Sequence, residues 1–254
     1  MNPNTEAPQP DARERLLDAA EALIYAGGIH ATGVDAIVRA SGAARKSFYT
    51  HFGSKDELVA AALARRDERW MRWFIAGTLA KGRTPQARLI GMFDVLREWF
   101  VSEGFHGCAF LNAAGETASP DDPVRVVARA HKARVLEFVR EQSDAWAAAA
   151  GSDGRVAARL ARQWLILIDG AIGVALVSGD ADAALDARAA GRSLLAALAP
   201  RGSEHPARST HPTQTPRGTR ASSKAQRGVH DSRSASGSRA PSRRAVQHKE
   251  QDHE

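Results

Sequence analysis

Residues 45–55, RKSFYTHFGSK, bring Arg45, Lys46, Ser47, Tyr49, His51 and Lys55 together within a few helical turns. Between residues 36 and 55 lie four cations, Arg39, Arg45, Lys46 and Lys55, and no carboxylate. A donor-rich cationic face of this kind suits the phosphates and base edges of a nucleic acid. Arg pairs bidentately with guanine, and Lys reaches guanine or phosphate. The hydroxyls of Ser47 and Tyr49 suit phosphate oxygens or bases. Lys55 opens the next helix, beside amide groups that themselves attract phosphate. The same residues also fit a solvated charged face on a small bundle, and spacing does not separate the two readings. Enzyme chemistry has less to stand on. The chain has no H-E-x-x-H pair, no glycine-rich phosphate loop and no G-x-S-x-G turn, so neither catalysis nor a cofactor or metal is expected.

A helix this short does not persist alone, so neighbouring elements must hold it. Asp11 and Glu14 have capping-box spacing, and Leu16, Leu17, Ala20, Leu23 and Ile24 recur at helical period up to Gly27-Gly28. A second helix is expected to start at Thr32-Gly33-Val34-Asp35 and to end at Ser41-Gly42. The third covers roughly residues 44–51, with Phe48 and Phe52 as core anchors. Ser54 and Glu57 then box the start of a long helix. Two short helices joined by the tight turn ASGA have the layout of a helix-turn-helix, whose second helix enters the major groove.

The remainder also reads as helical. Thr84-Pro85 and Asp122-Pro123 start helices, Gly104 and Gly151 end them, residues 155–178 form an apolar helix, and Asp182 is placed to cap the last one. No run shows strand alternation with hairpin signals. The expectation is an all-α fold of about nine helices. It comprises a disordered segment at residues 1–10, a helix-turn-helix domain at 11–56, a helical body at 57–200 and a disordered basic tail at 201–254.

Charge sharpens this division. Residues 201–254 carry 11 Lys+Arg against 5 Asp+Glu, whereas residues 1–200 carry 24 of each, so the whole net charge of +6 lies in the tail. The tail has no Leu, Ile, Met, Phe, Tyr or Trp and cannot offset its chain entropy by burial. It reads either as a sequence-independent phosphate binder or as an unselected extension. Specific recognition by the neutral part must therefore rest on a local patch. One cysteine, Cys108, excludes an intrachain disulfide and fits a reducing compartment, the cytoplasm. The N-terminus lacks an apolar leader. The apolar run at residues 164–177 carries Asp169 and is too short to span a bilayer, so no membrane association is expected.

Residues 28–63 closely resemble the DNA-binding head of the tetracycline-repressor (TetR) family. The resemblance rests on Thr32, Val34, Ile37, Ser41, Gly42, Ser47, Phe48, Tyr49, His51, Phe52, Ser54, Lys55 and Leu58 and covers about residues 11–60. It implies that Thr32 and Gly33, at the start of the second helix, approach a phosphate, Gly33 without the hydroxyl common at that position. Arg45, Lys46 and Ser47 would face the major groove, Tyr49 and His51 the backbone or flanking bases, and Lys55 a phosphate. Ala43-Ala44 replaces the common Val-Ser and removes an expected cap.

By the same resemblance the chain is a homodimer that binds a palindromic double-stranded DNA operator as a repressor and is released by a small apolar or amphipathic effector. The helix over residues 155–178 is apolar around much of its circumference, which suits a helix serving both its own core and a partner. Candidate pocket residues are Trp70, Trp73, Phe74, Phe93, Trp99, Cys108, Asn112, His131 and Trp164. Each of these also reads as ordinary core, with His131 as a hydrogen-bonded core histidine and Cys108 as a small buried hydrophobe. Alternative functions are a DNA-binding regulator without an effector and, with no motif behind it, a small helical enzyme.

Overall fold

The computed structural model describes residues 11–200; the expectations for residues 1–10 and 201–254 lie outside the described residues. The described residues form nine α-helices and no strand. They are α1 (Ala12–Gly27), α2 (Val34–Ser41), α3 (Arg45–His51), α4 (Lys55–Ala80), α5 (Pro85–Phe100), α6 (Ala109–Gly115), α7 (Pro123–Ala150), α8 (Gly154–Ser178) and α9 (Ala183–Leu198).

The expected caps at Asp11, Ser54, Thr84 and Asp122 form. They accept the backbone N–H groups of Glu14, Glu57, Ala87 and Val124 at 2.8, 3.1, 3.2 and 2.8 Å, satisfying donors that a helix start leaves orphaned. Two expectations are corrected. Asp182 precedes α9 without a side-chain cap; its Oδ1 instead accepts two hydrogen bonds from Arg97, at 3.0 and 2.9 Å. A charge-assisted fork outcompetes a neutral N–H. α5 ends at Phe100, short of Gly104, because the Val101 N–H closes the last turn onto Arg97 and Trp99.

Two hydrophobic cores lie along the chain. Leu16, Leu17, Ala20, Ile37, Ala43, Phe48, Phe52, Leu58 and Ala62 fill the head. The body core runs through α4–α9 around Phe74, Phe93, Leu96, Val135, Leu160 and Trp164. The domain boundary expected at residue 56 falls in the first turn of α4 and is no break. Leu58 and Ala62 complete the head core while Val59 and Leu63 enter the body core, so one rigid helix belongs to both. Three arginines strengthen this tie. Arg65 meets Glu14 at 2.8 Å and Asp18 at 2.6 Å, Arg66 meets Glu21 at 3.0 Å, and Arg69 also meets Glu21.

Within the described residues α8 is long and apolar enough, by length and composition, to cross a membrane. α8 extends ten residues ahead of the apolar run at residues 164–177. Ala157, Leu160, Ala161, Trp164, Ile168 and Ala175 are buried in the body core, and Asp169 pairs with Lys132 of α7 at 2.5 Å. α8 is therefore a core helix that α7 and α9 cover on one side.

Candidate nucleic-acid interface

α3 is held from beneath and left bare above. Phe48 and Phe52 are 1% and 4% exposed, and their rings lie 6.2 Å apart on Leu16, Leu17, Ile37 and Leu58. Burying each ring contributes on the order of 2 kcal/mol, enough to hold a helix of two turns. Gly42 makes the turn before α3 with φ +62°, a conformation that costs other L-residues more. Arg45, Lys46, Tyr49, Thr50 and His51 are exposed, and Ser47 is half-buried. Neither α2 nor α3 has a side-chain cap, as Gly33 and Ala44 imply. The start of α2 is thus left open to an external acceptor.

Three predicted contact residues are engaged inside the protein. Thr32 is buried, and its hydroxyl donates to the Gly28 carbonyl at 2.8 Å. This hydroxyl thereby secures the end of α1, where orphan carbonyls need a donor. Lys55 is half-buried and its Nζ donates to the Ile29 carbonyl at 2.6 Å, tying the start of α4 to the α1–α2 turn. Arg45 pairs with Asp35 of α2. A hydrogen bond with Tyr49, one turn on, and then the Asp35 carboxylate raise the Arg45 guanidinium above its ordinary value.

The α1–α2 turn is also gripped from the body. Glu116, which ends α6, accepts the N–H groups of Ile29 and His30 at 2.9 and 2.8 Å, and its Oε2 lies 3.0 Å from the His30 ring Nδ1. Partial burial pushes the Glu116 carboxyl up. The His30 and Ile29 N–H groups and the imidazole more than offset this and hold it below the ordinary range. A second tie joins Tyr25 to the segment before α6. Its hydroxyl donates to Gly107 O at 2.9 Å and accepts the His106 N–H at 3.0 Å. Sequence reading missed both. Glu116 lies 86 residues from His30, and no local pattern marks such a pair.

The predicted pocket residues divide. Trp164 and Phe93 are fully buried against each other, ring centroids 5.3 Å apart. A Cβ at Gly191 would lie 2.7 Å from the Trp164 ring. These two lie in the core, as does the fully buried Phe74 stacked on Trp70 at 4.8 Å. Asn112 lines a cavity between α1, α4 and α6. Trp70, Trp99, Cys108 and His131 line a second, narrow cavity, and Trp70, Trp73 and Trp99 an open bowl outside it. His131 is 2% exposed, with Nδ1 2.6 Å from Asp67 and Phe110 stacked on it at 3.7 Å.

Comparison with known proteins bears on this arrangement. Residues 16–62 match the model of the bacterial regulatory proteins of the tetR family. An uncharacterized HTH-type transcriptional regulator of Pseudomonas putida, TtgW, is 36% identical over 96 residues, 38% of this chain and 71% of its own. The crystal structure of a TetR regulator from Streptomyces avermitilis is 33% identical, covers 74% of this chain and 98% of its own, and superposes with a TM-score of 0.64. The chain belongs to the TetR family. A TetR-family regulator of Streptomyces coelicolor is 27% identical, with a TM-score of 0.67 over 74% of this chain and 96% of its own. Against other curated relatives the match is shorter: the chain spans 59% of a Lactococcus lactis regulator and 62% of Bacillus subtilis LmrA. Membership accounts for the short α2–α3 pair and the long α4.

Proposed function

We propose that this TetR-family chain is a cytoplasmic, homodimeric, sequence-specific DNA-binding regulator, a repressor released by a small effector. The observation that carries it is the exposed face of α3: Arg45, Lys46, Tyr49 and His51 project from a helix whose opposite face is locked by Phe48 and Phe52. A rigid, cationic two-turn helix suits the major groove. Arg45 leaves Asp35 for a guanine edge, an exchange of one anionic partner for two acceptors.

The dimer reading rests on α8. Ile166, Gly170, Gly173 and Val177 recur at i, i+4, i+7 and i+11. Ile166 and Val177 are 70% and 88% exposed, and a Cβ at either glycine meets nothing within 4 Å. An unpartnered apolar seam with room for a close neighbour suits an isologous two-fold contact. Two heads one helical turn of DNA apart, about 34–36 Å, then read a palindrome. An effector acts by tilting α4, which belongs to both cores, and so changing that spacing.

The test is selection of duplexes from a random pool by the purified full chain at moderate salt. Enrichment of an inverted repeat supports the reading, and a pool without consensus refutes it.

A further inference from the structure

Cys108, His131 and Asp67 form a buried chain of nucleophile, base and carboxylate that DNA binding does not use. The three come from separate elements: Cys108 immediately precedes α6, His131 lies on α7 and Asp67 on α4. All three are at most 6% exposed. Asp67 holds the His131 Nδ1 at 2.6 Å, and His131 and Cys108 line the same narrow cavity. Arg134 braces Asp67 from the far side, itself shared with Glu68. Lys132, paired with Asp169 at 2.5 Å, borders the same cavity. Nucleophile, base and orienting acid in this order are the arrangement that activates a thiol. Burial pushes the Cys108 thiol up, but His131 and the Lys132 ammonium more than reverse it.

An open bowl adjoins the cavity that holds this thiol. The open bowl lined by Trp70, Trp73, Trp99, Arg66, Arg69 and Glu21 shares Arg66, Trp70 and Trp99 with the narrow cavity that holds Cys108. Trp73 is 38% exposed, and the Trp70 indole N–H is buried without an acceptor. Three indoles around an opening favour a flat conjugated molecule. Cys108 is the chain's one cysteine, so no second thiol can close an intrachain disulfide, whereas addition to an electrophile needs none.

We infer that Cys108 is a covalent modification site for small conjugated carbonyl compounds, quinones and enones, and that the adduct is the releasing signal. This rests on the DNA-binding reading above. His131 takes the thiol proton. The sulfur lone pair forms a C–S bond to the β-carbon, the C=C π pair moves onto the carbonyl oxygen, and the proton returns from the imidazolium to the enolate. The net change is addition of S–H across one double bond. The adduct fills the narrow cavity around Cys108 and presses on Phe110, which lines it. The Phe110 ring already stacks 3.7 Å from His131. α6 must shift, and Glu116 at its other end loses its grip on Ile29 and His30.

The experiment is intact-mass kinetics of the full chain with methyl-1,4-benzoquinone at neutral pH, native and in urea, followed by duplex binding of the adduct. The expected result is one adduct, formed at least tenfold faster in the native chain than in the unfolded one. Asp67→Asn and His131→Gln slow it at least tenfold in chains that still melt cooperatively, and adduct formation weakens duplex binding at least tenfold. Cys108→Ser treated identically keeps its affinity. A native thiol that reacts no faster than the unfolded one overturns the site, and this comparison needs no variant. An adduct that binds duplex as tightly as the unmodified chain overturns the signal. Failure of the unmodified chain to bind any duplex overturns the DNA reading instead and leaves the thiol site to the mass kinetics.

Discussion

Glu116 holds His30 twice, through the backbone N–H at 2.8 Å and the ring Nδ1 at 3.0 Å. Body and head therefore meet at a charge-assisted clasp as well as along α4. The adjacent Ile29 is held at both ends, its N–H by Glu116 and its carbonyl by Lys55. The α1–α2 turn, which sets where α2 begins, is thus fixed by one residue from the body and one from the start of α4.

Replacing Glu116 by Gln removes the charge from this clasp and leaves one acceptor. The expected loss is about 1–2 kcal/mol at neutral pH, read as a lower denaturant midpoint. The sign of the pH dependence follows from the depressed carboxyl. Its contribution is complete above the ordinary value of 4.5 and is lost as pH falls through the lower folded value. The gap between wild type and variant therefore narrows in acid below that point; a gap constant down to the acid transition would show that the charge is not what holds the turn.

Lys55→Ala is expected to act twice. Losing the bond to Ile29 costs about 0.5–1.5 kcal/mol of stability. If the ammonium also meets a phosphate in the complex, the slope of log affinity against log salt becomes shallower by about one unit. Urea titration and salt titration of duplex binding separate the two effects. An unchanged slope assigns Lys55 to the fold alone.

Arg45→Ala and Lys46→Ala are expected to cost roughly 1–3 kcal/mol on the selected duplex and much less on random DNA. Asp35→Asn releases Arg45 from its partner and is expected to tighten binding to both. Titrations on matched and random duplexes check this, and equal losses on both would make Arg45 and Lys46 phosphate contacts.

Val177→Asp places a charge on the α8 seam. Sedimentation equilibrium is expected to show a monomer where the parent chain is a dimer, with the circular dichroism of the helices unchanged, since Val177 is 88% exposed. A parent chain that sediments as a monomer would remove the basis for a two-head reading.

Much of this was legible in the sequence because it is local. Caps at Asp11, Ser54, Thr84 and Asp122 act within three residues, and Phe48 and Phe52 announce their burial by spacing. Most of what escaped is long-range; Thr32, bonded to Gly28 four residues back, is the exception. Thr32 and Lys55 looked like solvent-facing donors because sequence shows a side chain's type and not the carbonyl folded against it. Asp182 had a cap's position, but Arg97 claimed it from across the fold. His131 read as a hydrogen-bonded core histidine, yet its partner Asp67 and its cavity neighbour Cys108 sit on other elements. Phe93 and Trp164 differ from Trp70 and Trp99 only in which neighbours close over them.

The central claim is that specificity resides in α3. Its most direct test is a footprint of the purified chain on DNA flanking its own gene, run beside the Arg45→Ala/Lys46→Ala double variant at the same salt. The prediction is a protected inverted repeat that the variant no longer protects, while both proteins have the same thermal stability. Absence of protection by the parent chain, or a footprint that survives in the variant, would contradict it.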